Sequence, residues 1–364
     1  MKIFEEYQLG NIALKNRIVM APMTRSRAVD NIPNELMAEY YGQRANAGLI
    51  ITEGTSPSPN GLGYPRIPGV FNKAQVEGWK KVTSAVHEKG GKIFLQIMHT
   101  GRVSHPLNMP EGAVIIAPSA VPLDGEMYTD QEGLKSYPRA KVMTPVDVKD
   151  AIKEYIAAAK NSIEAGFDGV ELHGANGYLI EQFLNPGTNM RNDEYGGNIE
   201  NRCRFAIEVA KGVALEIGGN KTAIRLSPYG ANSGMTPKYD SVKETYVYLA
   251  QQLAKIGLVY IHLVDHSSMG NPEVPQEIKN NISRAFGGTM ILSGGLNFEL
   301  ANEIIERGQG DLVAFARKYL ANPDLVYRFK NEIELNEPIL ETFYTPGEKG
   351  YTDYPVATEK HQTA

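Results

Sequence analysis

The chain has one cysteine, Cys203, in 364 residues. A single cysteine cannot close an internal disulfide, which excludes a disulfide-stapled scaffold. With no pair to oxidise, the composition suits a reducing compartment, and a cytoplasmic location is expected. An excess of base is also missing. The 37 Lys and Arg against 42 Asp and Glu give a net charge of −5 and a pI of about 5.9. That balance argues against a general nucleic-acid binder. No apolar run approaches the ~18–20 residues needed to cross a bilayer, so no membrane partner is expected. The stretch Met1-Lys2-Ile3-Phe4-Glu5-Glu6 carries no apolar core of leader length. A Gly-rich dinucleotide fingerprint after an early strand is absent too. What is present is an ordinary globular mixture, 42% apolar with 36 Gly. It suits a soluble enzyme or a large binding protein of one or two domains.

Eight short apolar runs read as strands: Ile18–Pro22, Leu49–Gly54, Lys92–Met98, Gly169–Gly174, Thr222–Pro228, Tyr260–Asp265, Thr289–Gly295 and Leu312–Arg317. They are continuously apolar rather than alternating, as parallel strands buried on both faces must be. Helical patterns alternate with them, among them Ala74–Glu88, Val146–Glu164, Arg202–Glu216 and Ser241–Lys255. Gly48, Gly90, Gly166, Gly218, Gly257, Gly287 and Gly308 each follow a helical pattern and precede a strand. A glycine there is expected to take the left-handed conformation that ends a helix. Thr144-Pro145 reads as an N-cap followed by Pro in the first turn. Asp240 with Glu244 places negative charge near another helix start. The pattern predicts an α/β fold, a (β/α)₈ TIM barrel in a single domain over residues 1–364. Residues 1–15 are expected to plug the barrel bottom. The Pro/Gly-rich interval of about 100–143, with a short strand near Val114–Ala117, is expected to cap the mouth after strand three. Tyr344, Tyr351 and Tyr354 suggest that the tail packs.

Barrel active sites lie at the C-terminal ends of the strands. Strand one runs through Ala21 into Pro22-Met23-Thr24, and strand two ends in Glu53-Gly54. Strand three carries Gln96, then Met98 and His99. Strand six ends with Asp265-His266, strand seven with Ser293-Gly294-Gly295, and strand eight with Phe315-Ala316-Arg317. Loops after strands seven and eight often form a phosphate site, where glycine backbone and an arginine meet an anion. Two glycines that merely turn the chain, beside an arginine paired at the surface, would read the same. Arg225 stands inside the apolar run Ala223-Ile224-Arg225-Leu226. A buried guanidinium is costly unless partnered. It is either a salt bridge across the barrel or a partner for an electron-rich ligand atom. The amide of Gln96 could read a heterocyclic edge.

The sharpest constellation is His173-Gly174-Ala175-Asn176-Gly177-Tyr178 after strand four. A helical turn there would bring His173 and Asn176 side by side. Both can donate to one oxygen, which polarises a carbonyl or nitro group. Tyr178, with an ordinary pKa near 10, holds a deliverable proton at neutral pH. A core histidine beside an asparagine turn is the competing reading. A metal-dependent hydrolase or lyase is disfavoured, since no HExxH helix or strand-one His pair is present, so no metal is expected. A non-catalytic ligand-binding barrel is the third possibility.

Several stretches carry a specific resemblance. They are Asn16-Arg17-Ile18-Val19-Met20-Ala21-Pro22-Met23-Thr24-Arg25, Gln96-Ile97-Met98-His99-Thr100-Gly101-Arg102, the His173–Leu179 stretch, Gln182-Phe183-Leu184-Asn185-Pro186, Asp193-Glu194-Tyr195-Gly196-Gly197, Asn322-Pro323-Asp324-Leu325 and Gly350-Tyr351-Thr352-Asp353-Tyr354-Pro355. Across nearly the whole chain it resembles the old yellow enzyme family of FMN-dependent ene reductases, particularly its bacterial members. The resemblance implies a ping-pong reductase using FMN and NADPH or NADH on activated alkenes such as enones, enals, maleimides and nitroalkenes, as a monomer or homodimer. It implies that Thr24, Gly54 and Gln96 contact the flavin ring, beside Ala21 and Pro22. Arg225 would offset charge on the reduced ring, and Ser293, Gly294, Gly295, Ala316 and Arg317 would hold the phosphate end. His173 and Asn176 would bind the activating oxygen of the substrate and Tyr178 would donate the proton, with Tyr64, Met98 and Tyr351 lining the site. The chain departs from many relatives at Met98, where they carry Trp, at Ala316, where Gly is common, and at Asn176, where His is common.

Overall fold

The structure, a computed structural model, describes residues 1–357; the polar end of the tail, including His361, lies outside the described residues. Eight parallel strands close a barrel: β1 (Ile18–Met20), β2 (Leu49–Ile51), β3 (Ile93–Ile97), β4 (Gly169–Gly174), β5 (Thr222–Leu226), β6 (Tyr260–Val264), β7 (Thr289–Ser293) and β8 (Leu312–Phe315). Each pairs with the next, and β8 returns to β1 with Ala314 opposite Val19. This is the (β/α)₈ architecture that the alternation predicts. Every strand except β4 ends one to three residues before its apolar run does. The ladder stops there because the chain turns outward into the loops that carry polar groups.

Period-two alternation sorts each strand into two faces. Ile18, Met20, Leu95, Leu172, Ile224, Ile261 and Val313 point outward and join one large buried cluster with helix residues such as Val82, Ala158, Val209 and Leu249. Val19, Leu49, Phe94, Ala223, Tyr260, Ile291 and Leu312 form a second, inner cluster. Two residues further along, the inward register turns polar: Gln96, Glu171, Arg225, His262 and Ser293 are all buried. The barrel is therefore apolar below and polar just beneath its mouth.

The helices follow in order: α1 (Glu35–Gln43), α2 (Lys73–His87), α3 (Pro145–Glu164), α4 (Leu179–Leu184), α5 (Ile199–Ile217), α6 (Val242–Ile256), α7 (Gln276–Phe286), α8 (Phe298–Glu306), α9 (Arg317–Ala321) and α10 (Leu325–Lys330). Thr144 caps α3 in a reciprocal box with Asp147, and Pro145 opens the helix. α6 begins at Val242 with Glu244 in its first turn and no side-chain cap, so Asp240 does not cap it. Six of the seven expected helix-stop glycines have positive φ. Gly48 is the exception: it is needed because a Cβ would lie 2.1 Å from the Asn16 carbonyl oxygen.

The hairpin Tyr7–Leu9/Ile12–Leu14 sends Leu9 and Leu14 into the inner cluster. The interval between β3 and α3 holds a 3₁₀ turn at Pro106–Asn108, a parallel pairing of Ile116–Ala117 with Lys141–Val142, and the hairpin Glu126–Thr129/Gly133–Ser136. Near the C-terminus, Arg25 and Arg27 reach the carbonyl oxygens of Gly350 and Phe343, each at 2.7 Å, and tie that segment to the mouth. Among the described residues no helix is long and apolar enough to cross a membrane.

Candidate active site

Two cavities open at the C-terminal ends of the strands. The first, of about 590 Å³, is lined by Ala21, Arg225, His266, Ser293, Gly294, Gly295, Ala316 and Arg317, among others. The second, of about 720 Å³, is lined by Thr24, Tyr64, Arg66, Tyr137, Tyr178 and Tyr344, among others. Both volumes fall within the roughly 300–1,000 Å³ common for small-molecule pockets. Leu340 lines both, so the cavities adjoin.

The first cavity collects groups suited to an anion. Gly294 (φ 115°) and Gly295 (φ 62°) make a turn only glycine adopts easily, and a Cβ on Gly294 would meet the Asp265 carbonyl oxygen at 1.8 Å. Arg317 opens α9 beside them. Ala316 has φ −95°, so its methyl is accommodated. Arg225 is buried, and its Nε has no hydrogen-bond partner. Among the described residues it forms no salt bridge, and it lines this cavity.

His173 and Asn176 lie between His266, which lines the first cavity, and Tyr178, which lines the second. No helical turn carries them: Asn176 (φ 60°) and Gly177 (φ 80°) are both left-handed. The Nδ1 atom of His173 accepts from the Ala175 N–H at 3.3 Å, which puts the ring proton on Nε2. Burial, with Arg225, His262 and His266 nearby, pushes the His173 pKa well below its ordinary value, so the ring is neutral. His266 lies 2.6 Å from the Asn176 Oδ1. With His266 donating, the Nδ2 group of Asn176 is turned toward His173, 3.3 Å from Nε2. Two N–H donors thus stand side by side, as the bridging of one oxygen requires.

Tyr178 packs edge-on against His173, with ring centroids 4.8 Å apart. Its hydroxyl is hydrogen-bonded to that of Tyr64 at 3.0 Å. Burial pushes the Tyr178 pKa up to about 12, while the Tyr64 contact pulls it down. Tyr64 is raised well above its ordinary value, by burial and then by Tyr178 itself.

The other predicted residues fall around these. Met98 is buried against Tyr64, Tyr178, Leu62 and Ile67. It covers Gly54, where a Cβ would lie 2.4 Å from the Met98 Sδ. Gln96 is buried and donates to Glu171 at 2.8 Å. Pro22 follows β1 beside Ala21. Tyr351, expected to line the site, is fully buried. It stacks on Tyr40 at 4.0 Å with the Arg25 guanidinium over its own ring at 5.1 Å, because the arginine-held C-terminal segment draws it into that layer.

Four polar residues at the site carry no assignment from the sequence. Glu171 and His262 lie in the polar register beneath the mouth, bonded at 3.0 Å. His266 orients Asn176. Glu181 accepts from the Gly177 N–H at 2.6 Å and from Ser227 at 2.7 Å, and Ser227 in turn accepts from the Asn176 N–H at 2.9 Å. Glu171 and His262 interrupt apolar strands as Gln96 and Arg225 do, and that signal was available.

A family model described as the NADH:flavin oxidoreductase / NADH oxidase family matches residues 2–336. 12-Oxophytodienoate reductase 7 of Oryza sativa subsp. japonica is 40% identical over 375 residues, covering 97% of this chain and 94% of that protein. A solved structure of morphinone reductase in complex with tetrahydroNAD is 41% identical, with TM-score 0.94 and full coverage of both chains. The old yellow enzyme homologue from Zymomonas mobilis is 38% identical, with TM-score 0.93, over 98% of this chain and 100% of that one.

Proposed function

Since the chain belongs to the NADH:flavin oxidoreductase / NADH oxidase family, as an old yellow enzyme homologue that uses FMN and a nicotinamide, we propose that it reduces the C=C bond of alkenes activated by a carbonyl or nitro group. Flavin enzymes of this family supply the ene-reduction chemistry. FMN, when bound, relays hydride from the nicotinamide to the alkene. The residues present fit that group. Arg317 with the Gly294–Gly295 turn suits its phosphate, Ser293 a ribityl hydroxyl, and the unpartnered Arg225 Nε the electron-rich edge of its ring. Thr24, Gly54, Gln96, Ala21, Pro22 and Ala316 complete the cofactor shell in this reading.

The nicotinamide and the alkene enter the tyrosine-lined cavity in turn, so the cycle is ping-pong. His173 Nε2–H and Asn176 Nδ2–H hold the activating oxygen and stabilise the charge that develops on it. Tyr178 would then deliver its phenolic proton to the α-carbon. Tyr64 donates to the resulting phenolate. Residues 100–143, through Tyr137 and its hairpin neighbours, wall the cavity and exclude water. Substrates of the enone, enal, maleimide and nitroalkene classes fit these contacts. The composition suits a cytoplasmic enzyme.

The observation that carries this reading is the pair of N–H donors 3.3 Å apart, bonded to His266 of the cation-lined cavity and packed on Tyr178 of the tyrosine-lined one. The test is anaerobic. NADH or NADPH should bleach the visible band of the FMN-loaded protein, and 2-cyclohexenone should restore it. A protein that takes up no FMN, or whose colour only oxygen restores, would overturn the reading.

A further inference from the structure

The loop that carries the donor pair has an uncommon backbone. Asn176 (φ 60°) and Gly177 (φ 80°) are consecutive left-handed residues, and a Cβ on Gly177 would lie 2.7 Å from the Asn232 carbonyl oxygen. A non-glycine residue resists that region unless its surroundings fix it. Here every backbone polar group of the two residues is bonded. Ser233 donates to the Asn176 carbonyl oxygen at 3.1 Å, and Gln182 to that of Gly177 at 2.8 Å. The Asn176 N–H donates to Ser227 at 2.9 Å, and the Gly177 N–H to Glu181 at 2.6 Å.

The two N–H bonds end in one buried cluster. Glu181 stands in the first turn of α4, and Ser227 follows β5. Oε2 of Glu181 takes the Gly177 N–H. Oε1 receives the Ser227 hydroxyl at 2.7 Å and that of Tyr246, on α6, at 3.2 Å. The carboxyl therefore takes one N–H itself and fixes the serine that takes the other. Shape matters here more than charge. In a neutral side chain of the same shape, an oxygen at the Oε2 position still accepts from Gly177, and a donor at the Oε1 position bonds the Ser227 or Tyr246 hydroxyl. Without the group, an N–H and two hydroxyls lose their partner in a buried site, and the loop must turn to satisfy them.

We propose that Glu181 is a positioning residue: through Gly177 and Ser227 it holds Asn176 left-handed, which sets where the Asn176 side chain leaves the loop and keeps its amide beside His173. It touches neither substrate nor cofactor. This rests on the reading above, in which those two donors hold the activating oxygen of the alkene.

The experiment adds 2-cyclohexenone, isotope-labelled at its carbonyl, to the oxidised FMN-loaded protein. Difference infrared spectroscopy reads the carbonyl stretch, a titration reads the affinity, and stopped flow reads the alkene half-reaction. In the wild type two donors should lower the stretch from its value in an apolar solvent. Glu181→Met, which keeps the length but no acceptor, should lose about half of that lowering, as one misplaced donor of two implies. Its affinity should fall about five- to tenfold, and its alkene half-reaction about 10–100-fold. Glu181→Gln should restore the stretch and bring both constants to within about threefold of wild type. A folded Glu181→Met with the wild-type stretch overturns the proposal, even where its melting temperature drops, since that is the signature of a purely structural role. A folded Glu181→Gln as impaired as Glu181→Met overturns it too. Should Glu181→Met fail to fold, Ser227→Ala decides: it removes only the acceptor of the Asn176 N–H and should move the stretch the same way, and an unmoved stretch overturns the proposal. A wild type that lowers the stretch not at all removes the donor-pair reading and the proposal with it, which is a distinguishable result.

Discussion

Replacing Tyr178 by Phe removes one oxygen from a buried pair of hydroxyls and leaves the ring packed on His173. The pKa of about 12 keeps this group protonated throughout the physiological range. Its loss as a general acid should slow the alkene half-reaction by about 10²–10⁴-fold, the ordinary worth of a positioned proton donor. Oxidation of the nicotinamide needs no proton from Tyr178 and should change by less than about threefold, a difference under ~1 kcal/mol. Tyr64→Phe should give a smaller loss, about tenfold, since one hydrogen bond to the developing phenolate is worth roughly 1–1.5 kcal/mol. The wild-type alkene step should also be flat with pH from neutrality to well above it. Stopped-flow separation of the two half-reactions measures all of this. Equal losses in both half-reactions, or an unchanged alkene rate, would refute the assigned role.

Other perturbations reach the remaining groups. Arg317→Ala should weaken FMN binding about 10–100-fold, as loss of a charge-assisted hydrogen bond does; unchanged affinity by fluorescence titration would remove it from the phosphate site. His266→Ala frees the Asn176 amide, so a carbonyl ligand should bind about five- to tenfold more weakly for one misoriented donor; equal binding in an equilibrium titration would show that Asn176 needs no support. Burial raises the Glu181 carboxyl from 4.5 to about 7 despite its three donors. The native state therefore favours its protonated form, and that stabilisation, full below the ordinary carboxyl pKa, is lost as pH rises through about 7. Relative to Glu181→Gln, the wild type should lose roughly 3 kcal/mol between about pH 4.5 and about pH 8, at about 1.4 kcal/mol per decade. Denaturant melts with a pH-independent difference would contradict this.

The barrel was legible because its strands bury both faces. Runs such as Thr222–Leu226 and Tyr260–Val264 have no soluble side to alternate with, and helix-stop glycines mark most of the spacing between them. Gly48 looked the same in sequence but answers to the approach of Asn16, a contact across the chain that no local pattern carries. The donors His173 and Asn176 were legible as types, yet the loop that aligns them depends on two left-handed residues and on His266, 90 positions away. Glu171 and His262 needed the register of adjacent strands before their shared bond could be seen. Tyr351 was plain as a motif, while its packing against Arg25 and Tyr40 needed the fold.

The most direct measurement is a crystal structure of the protein with FMN and a bound enone. The account predicts phosphate oxygens within hydrogen-bond reach of Arg317 and the Gly294–Gly295 backbone. The ring edge should lie at Arg225 and Gln96, and the enone oxygen between His173 and Asn176. Flavin seated elsewhere, or an enone oxygen turned away from those two donors, would contradict it.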